Sequence, residues 1–224
     1  MKTCIVIPAY NEGGRIEIVV RNLLEQGFPN ILVVDDGSSD KTVDILNKYP
    51  ILLAQHATNL GQGAALRTGT RIAAMKGFDA IAHYDADGQH RIEDLQQVIQ
   101  TLEKENLDVV IGSRFLQYKT QLPYKKKIIL SIAKIFSKRI LSLEYSDPQS
   151  GLRGFKTKNL DKIIWKNDDF AHCTEILNSI SKNKLKIKEI PITVNYSNDT
   201  STKKVKPQIS MGWKLFIAKF FNKL

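Results

Sequence analysis

No stretch of the 224-residue chain approaches the roughly 18 consecutive apolar residues that a membrane-spanning helix needs. The sequence therefore predicts a protein that does not cross a bilayer by itself. The opening apolar run, Cys4 to Pro8, is too short for a signal peptide. Cysteine is scarce: Cys4 and Cys173 stand far apart and form no CxxC pair. That excludes a disulfide framework or cysteine-rich zinc site and fits a reducing, cytosolic compartment. No GxxxxGK[ST] loop and no GxGxxG fingerprint occurs, which argues against P-loop and dinucleotide-binding readings. Internal repeats and low-complexity linkers are absent too. What remains is 42% hydrophobic and 25% charged, the make-up of a globular domain with a real core.

The net charge is +10, and the excess lies beyond Gly112. It gathers in Lys125-Lys126-Lys127, Lys134, Lys138-Arg139, Lys182 to Lys188, Lys203 to Lys206 and Lys214 to Lys223. Such an asymmetry suits either nucleic acid or an anionic membrane surface. Any single run also reads as a solvated face.

Up to Arg114, apolar strands alternate with amphipathic helices. Strands are predicted at Thr3–Pro8, Ile31–Val34, Ile51–Ala54, Ala80–Tyr84 and Asp108–Gly112. Helices are predicted around Ile16–Leu24, after an Asp40 N-cap, at Gly63–Lys76 and at Ile92–Glu103. This alternation predicts an α/β domain whose mostly parallel sheet is covered on both faces. Beyond Arg114 come a basic helix at Lys125–Leu143, a turn-rich stretch at Asp147–Gly151, a helix at Phe170–Ser181 and a strand at Ile187–Tyr196. A last amphipathic helix is predicted at Pro207–Leu224. A glycine- and motif-bearing domain over 1–200 with a basic appendage over 201–224 follows.

Polar residues collect where the parallel strands end, the place where open α/β sheets bind ligands. Tyr10-Asn11-Glu12, Asp35-Asp36-Gly37-Ser38, Asp85-Ala86-Asp87 and Ser113-Arg114 share that rim. Like charges there repel, and a cation relieves the repulsion. Asp85 and Asp87, at i and i+2, can turn hard oxygens toward one Mg²⁺ or Mn²⁺, with Gln89 adding an amide oxygen. The competing reading is a surface loop before the helix at Ile92. Gly61 and Gly63 permit a tight turn whose helix start can face a phosphate, or merely turn the chain. Asp36 and Glu12 can accept hydrogen bonds from a base or ribose, or can serve the turn Asp35–Asp40. Arg114 can grip a phosphate bidentately or pair with a rim carboxylate.

Taken in order, Ile7-Pro8-Ala9-Tyr10-Asn11-Glu12, Val33-Val34-Asp35-Asp36-Gly37-Ser38, Asn59-Leu60-Gly61-Gln62-Gly63, Asp85-Ala86-Asp87-Gly88-Gln89-His90, Gly112-Ser113-Arg114-Phe115, Asp147-Pro148-Gln149-Ser150-Gly151, Glu175 and Ile190-Pro191 resemble family 2 glycosyltransferases. The branch most similar is that of dolichyl- or polyprenyl-phosphate sugar synthases, and the likeness runs from residue 3 to 196. It implies a GT-A (Rossmann-like) fold, a nucleotide-sugar donor, Mg²⁺ or Mn²⁺, and inversion at the sugar carbon. It further implies donor contacts from Pro8, Tyr10, Glu12, Asp36, Gly61, Asp85 and Ala86, and metal contacts from Asp85, Asp87 and Gln89. Arg114 and Lys126 would hold an acceptor phosphate, with Ser150 close by. Asp87, Arg114 and Glu175 would carry catalysis. The sequence departs from the family at Gln62, where relatives often have lysine, and in having lysine where the acceptor-phosphate region often has arginine.

If the acceptor is a lipid phosphate, it is already ionised near neutral pH. A saccharide acceptor of a capsule or lipopolysaccharide instead needs a base, for which Glu175 and then Asp147 are the candidates. Ile209, Trp213, Phe216, Ile217, Phe220 and Leu224 share one helical face opposite lysines, which suits either an interfacial helix or one packed on protein. The expected location is the cytoplasmic face of an anionic membrane. A basic nucleic-acid-binding module accounts for the charge but not for three acidic strand ends, so no nucleic-acid partner is expected.

Overall fold

The computed structural model describes residues 1–116 and 145–194. In chain order these form β1 (Thr3–Ala9), α1 (Ile16–Glu25), β2 (Ile31–Asp35), α2 (Thr42–Leu46), β3 (Leu52–Gln55), α3 (Gln62–Met75), β4 (Ala80–His83) and α4 (Ile92–Lys104). There follow β5 (Val109–Ser113), β6 (Arg153–Lys156), a 3₁₀ segment (Thr157–Lys162), α5 (His172–Lys182) and β7 (Ile187–Pro191). The strands make one sheet in the order β3-β2-β1-β4-β6-β5-β7.

The first half is built as its periodicity requires. Apart from Thr3 and Asp35 at their ends, β1 and β2 are apolar and buried on both faces, as parallel strands covered by helices must be. Ile5 and Ile7 point into one core with Val19, Leu23, Leu95 and Leu102 of α1 and α4. Cys4 and Val6 point into the other, with Leu66 and Ala73 of α3 and Ile176, Leu177 and Ile180 of α5. Alternate residues of one strand thus feed two cores. β1 pairs in parallel with β2, Ile7 opposite Val33, and with β4, Val6 opposite His83.

The second half departs from a simple parallel reading. Arg153–Lys156, part of a stretch with no predicted strand, is β6. It runs antiparallel to both neighbours, with Phe155 opposite Ile81 of β4 and Val109 of β5. The strand predicted over Ile187–Tyr196 stops at Pro191; past it, Val194 makes one antiparallel bridge to His90. Asp40 is not the N-cap of α2, whose first residue is Thr42 with Lys41 before it. Its carboxylate still accepts the Thr42 N–H at 2.9 Å. The helices at Lys125–Leu143 and Pro207–Leu224, Lys126, and the boundary between 200 and 201 lie outside the described residues.

Phe155 is buried and meets the His83 ring edge-on, centroids 4.9 Å apart; Lys156 points outward and bonds Asn106. Phe155→Ala is expected to cost about 3–5 kcal/mol by cavity formation, and Lys156→Ala less than about 1 kcal/mol. Denaturant midpoints at unchanged slope measure both; equal costs would contradict the β6 register.

Candidate active site

The strand ends of β1 and β2 are stitched together by side chains gripping backbone. Asn11 sits at φ 53°. Its N–H donates to Ser38 Oγ at 2.8 Å, and its amide oxygen accepts from Ser39 N at 2.9 Å. Glu12 N donates to Thr42 Oγ1 at 2.9 Å. Pro8 is buried in β1, whereas Tyr10 is 46% exposed at the rim. Glu12 forms a long ion pair with Arg15, 3.8 Å. Asp36 is only 2% exposed. Its carboxylate accepts from Gly61 N at 2.7 Å, from Leu60 N at 3.0 Å and from His56 Nδ1 at 2.7 Å. In this arrangement Asp36 fixes the turn before α3. Gly61 takes φ +105° there, and a Cβ on it would lie 2.3 Å from the Asp168 carbonyl oxygen, so the turn demands glycine.

Asp85 is the centre of the rim. Gln62 Nε2 donates to its Oδ1 at 3.0 Å and His90 Nε2 to its Oδ2 at 3.2 Å. Burial opposes its charge, but the His90 hydrogen bond and the charges of His90 and Arg153 outweigh burial and hold its carboxyl below the ordinary range. Gly151 abuts it so tightly that a Cβ would lie 2.0 Å from Oδ2. Asp87 accepts the Gln89 N–H at 2.9 Å. Its pKa is raised, chiefly by burial and then by the Asp85 charge. Ala86 turns inward, buried in the core beside α1 and α4, so only its backbone faces the rim.

A third group lies at the end of β5. Arg114 forms a two-pronged pair with Asp147, Nε to Oδ2 at 2.6 Å and Nη2 to Oδ1 at 2.7 Å. Asp147 is 1% exposed. The loop carrying it is held by Glu189 of β7, which accepts from Ser146 N at 2.8 Å and Ser146 Oγ at 2.8 Å. Ser113 and Ser146 share a further hydroxyl hydrogen bond. Glu175 binds the Lys166 and Asn167 N–H groups at 2.7 and 2.9 Å, and the Asn167 amide.

The structure therefore brings Gly61, Asp85, Asp87, Gln89 and Ser150 to one side of the sheet edge, with Arg114 at the next strand end. Glu175 is spent on the loop before α5. A cavity of about 70 Å³ opens beside Asp85, lined in part by Ser150, Arg153, His172 and Cys173. The sequence reading missed the last three, together with Gln62 and His90 as Asp85 partners. Gln62 and His90 lay inside quoted motifs and were legible as polar residues at strand and helix ends. Arg153 and His172 carried no local signal, because each is defined by what folds against it. Arg153 and His172 pull the Cys173 thiol below its ordinary value although burial opposes this.

Two carboxylates and an amide suit a hard divalent ion whose remaining ligands come from a diphosphate. Among the described residues no three His, Cys, Asp or Glu side chains cluster as a self-sufficient metal cage, so the donor would have to complete the shell.

Glycosyl transferase family 2 matches residues 4–164. The UDP-N-acetylglucosamine–dolichyl-phosphate N-acetylglucosaminyltransferase of Methanococcus voltae is 33% identical over 235 residues, spanning 95% of this chain and 92% of its own. The polyprenol monophosphomannose synthase of Mycolicibacterium smegmatis is 28% identical over 206 residues, spanning 86% and 77%. Glucosyl-3-phosphoglycerate synthase of Mycobacterium tuberculosis, solved with Mn²⁺, UDP and glucosyl-3-phosphoglycerate, is similar with a TM-score of 0.70 at 17% identity, over 94% of this chain and 75% of that one. That structural likeness carries the GT-A fold. The acidic rim, the sheet order and the family match over most of the chain lead to one assignment: the chain belongs to glycosyl transferase family 2 and is a glycosyltransferase.

Proposed function

We propose that the enzyme transfers a sugar from a UDP-sugar to a polyprenyl phosphate, by direct displacement with inversion and with Mg²⁺ or Mn²⁺ bound at the rim. The observation that carries the acceptor reading is the fate of the two candidate bases. Asp147 is locked on Arg114, and Glu175 is taken up by the loop 166–167. A hydroxyl acceptor needs a base at the point of attack; a phosphate monoester, with its second pKa near 6, is already a nucleophile. Relatives named for dolichyl and polyprenol phosphates support the same choice.

Asp85, Asp87 and Gln89 would hold the metal. Bound there, it would neutralise the leaving diphosphate. The chain's own part is to aim these oxygens: Gln62 and His90 orient Asp85, and the Gln89 N–H orients Asp87. Arg114, kept rigid by Asp147, would contact the acceptor phosphate, with Lys126 and Ser150 as further contacts. UDP is favoured by the UDP-sugar donor in the name of the archaeal relative and by the UDP bound to the structural neighbour. No helix among the described residues is long and apolar enough to cross a membrane. A lipid acceptor and the basic second half support peripheral attachment to the cytoplasmic face of an anionic membrane, through residues 201–224.

Calorimetric titration of UDP with Mn²⁺ is expected to give binding that chelator abolishes and that Asp87→Ala weakens at least about tenfold, the loss of one charged ligand contact; metal-independent binding would sink the metal assignment. Glu175→Gln is expected to slow transfer to a polyprenyl phosphate less than about tenfold. A loss beyond about 10³-fold would exceed what loop support explains, restore Glu175 as a base and favour a saccharide acceptor. Deleting residues 207–224 is expected to release the protein from anionic vesicles in a flotation assay, whereas unchanged flotation would remove the membrane role of that segment.

A further inference from the structure

Arg153 is the largest fully buried side chain of the described residues and is 1% exposed. Among those residues, its one hydrogen bond to an oxygen runs from Nη2 to the Pro148 carbonyl at 3.2 Å. Its Nε is buried with no partner. Burying a guanidinium with an unmet N–H is costly, and packing alone would be served better by an apolar residue. Among the described residues no carboxylate touches the charge, whose near partner is the Cys173 thiol, while Asp85 influences it from farther away. A buried donor of this kind, beside a cavity, points to an oxygen acceptor that arrives from outside.

The cavity of about 70 Å³ is lined by Leu66, Asp85, Ser150, Arg153, Phe170 and Cys173, among others. It is several times the ~10–15 Å³ that one water requires. Its wall includes Asp85, so it adjoins the place where the diphosphate end of the donor would lie. The sugar carbon bonded to the diphosphate is neighboured by C2, so a C2 substituent is the donor group best placed to enter. Leu66 and Phe170 give the cavity apolar surface, Arg153 a strong donor, and Asp85 and Ser150 acceptors. An acetamido group matches all three: a methyl, a carbonyl oxygen and an N–H. A carboxylate would satisfy Arg153 but would face Asp85 at close range.

Resting on the nucleotide-sugar reading of the rim, we infer that this cavity receives the 2-acetamido group of an N-acetylhexosamine donor, its carbonyl oxygen accepting from Arg153. Arg153 is then a specificity-determining residue, and Cys173 sets the floor of the cavity.

The test is calorimetry on the full chain with Mn²⁺, using UDP, UDP-glucose, UDP-N-acetylglucosamine and UDP-glucuronate. The acetamido sugar is expected to bind at least about tenfold more tightly than UDP-glucose, as one hydrogen bond to a charged donor allows. Arg153→Lys, which keeps the charge but loses Nε, should bring the two within about twofold. Cys173→Met, which fills the floor, should weaken the acetamido sugar alone. Equal affinity of the wild-type protein for the glucose and acetamido donors overturns the inference, as does preference for the glucuronate. So does a folded Arg153→Lys protein that keeps the wild-type preference. Absence of UDP binding itself would bring down the donor reading and this inference together, whereas UDP binding without sugar discrimination brings down this one alone.

Discussion

Asp35, Asp36, Asp40, Asp85 and Asp87 crowd one edge of the sheet, and the chain answers their repulsion with N–H groups. Asp35 takes the N–H of Ser38, Asp36 those of Leu60 and Gly61, Asp40 those of Gly13 and Thr42, and Asp87 that of Gln89. The pattern continues at the far side, where Asp147 accepts Arg114 N and Glu189 accepts Ser146 N. Each carboxylate therefore does two things at once: its oxygens satisfy N–H groups of the loops, and in doing so it pins the loop that offers them. Asp85 differs in kind. Its partners are side chains, Gln62 and His90, which can turn aside when a ligand arrives, whereas backbone N–H groups cannot leave without moving the loop.

The same bonding pattern explains what the sequence discloses. Apolar periodicity is local, so β1, α1, β2, α3, β4, α4 and β5 were legible nearly to their ends. β6 was not. Four residues long, with a glycine and two basic residues, Arg-Gly-Phe-Lys offers no apolar run; it is a strand because β4 and β5 leave a slot between them. The motifs at the strand ends were legible because each lies within a few consecutive residues. Their partners were not: Gln62 reaches Asp85 across 23 positions, Arg114 reaches Asp147 across 33 and Ser146 reaches Glu189 across 43. No window of periodicity spans such distances. For the same reason Glu175 read as an acid near the acceptor, while its carboxylate in fact closes the loop nine residues before it.

The Arg114–Asp147 pair ties the end of β5 to the loop before β6. A guanidinium held on two of its nitrogens by a buried carboxylate is fixed in plane, and the loop that fixes it is itself held by Glu189 from β7. Two sheet elements widely separated in sequence thus set the direction of one side chain. If Arg114 meets the acceptor phosphate as proposed, it does so from a direction fixed by the scaffold and not by its own rotamers.

The insertion of β6 between β4 and β5 also sets the order in which the protein can assemble. As the chain is synthesised, β1 to β4 emerge as a consecutive parallel unit, yet the outer edge of β4 and one edge of β5 stay unpaired until Lys156 has left the ribosome, and the other edge of β5 until Pro191 has. At ordinary elongation rates that interval lasts on the order of ten seconds, during which open strand edges invite pairing with other nascent chains. Gly151 and Arg153 arrive with that last central strand, so the pocket beside Asp85 is finished only when the sheet is. A half-made molecule has the acidic strand ends but not the wall that closes the cavity beside Asp85.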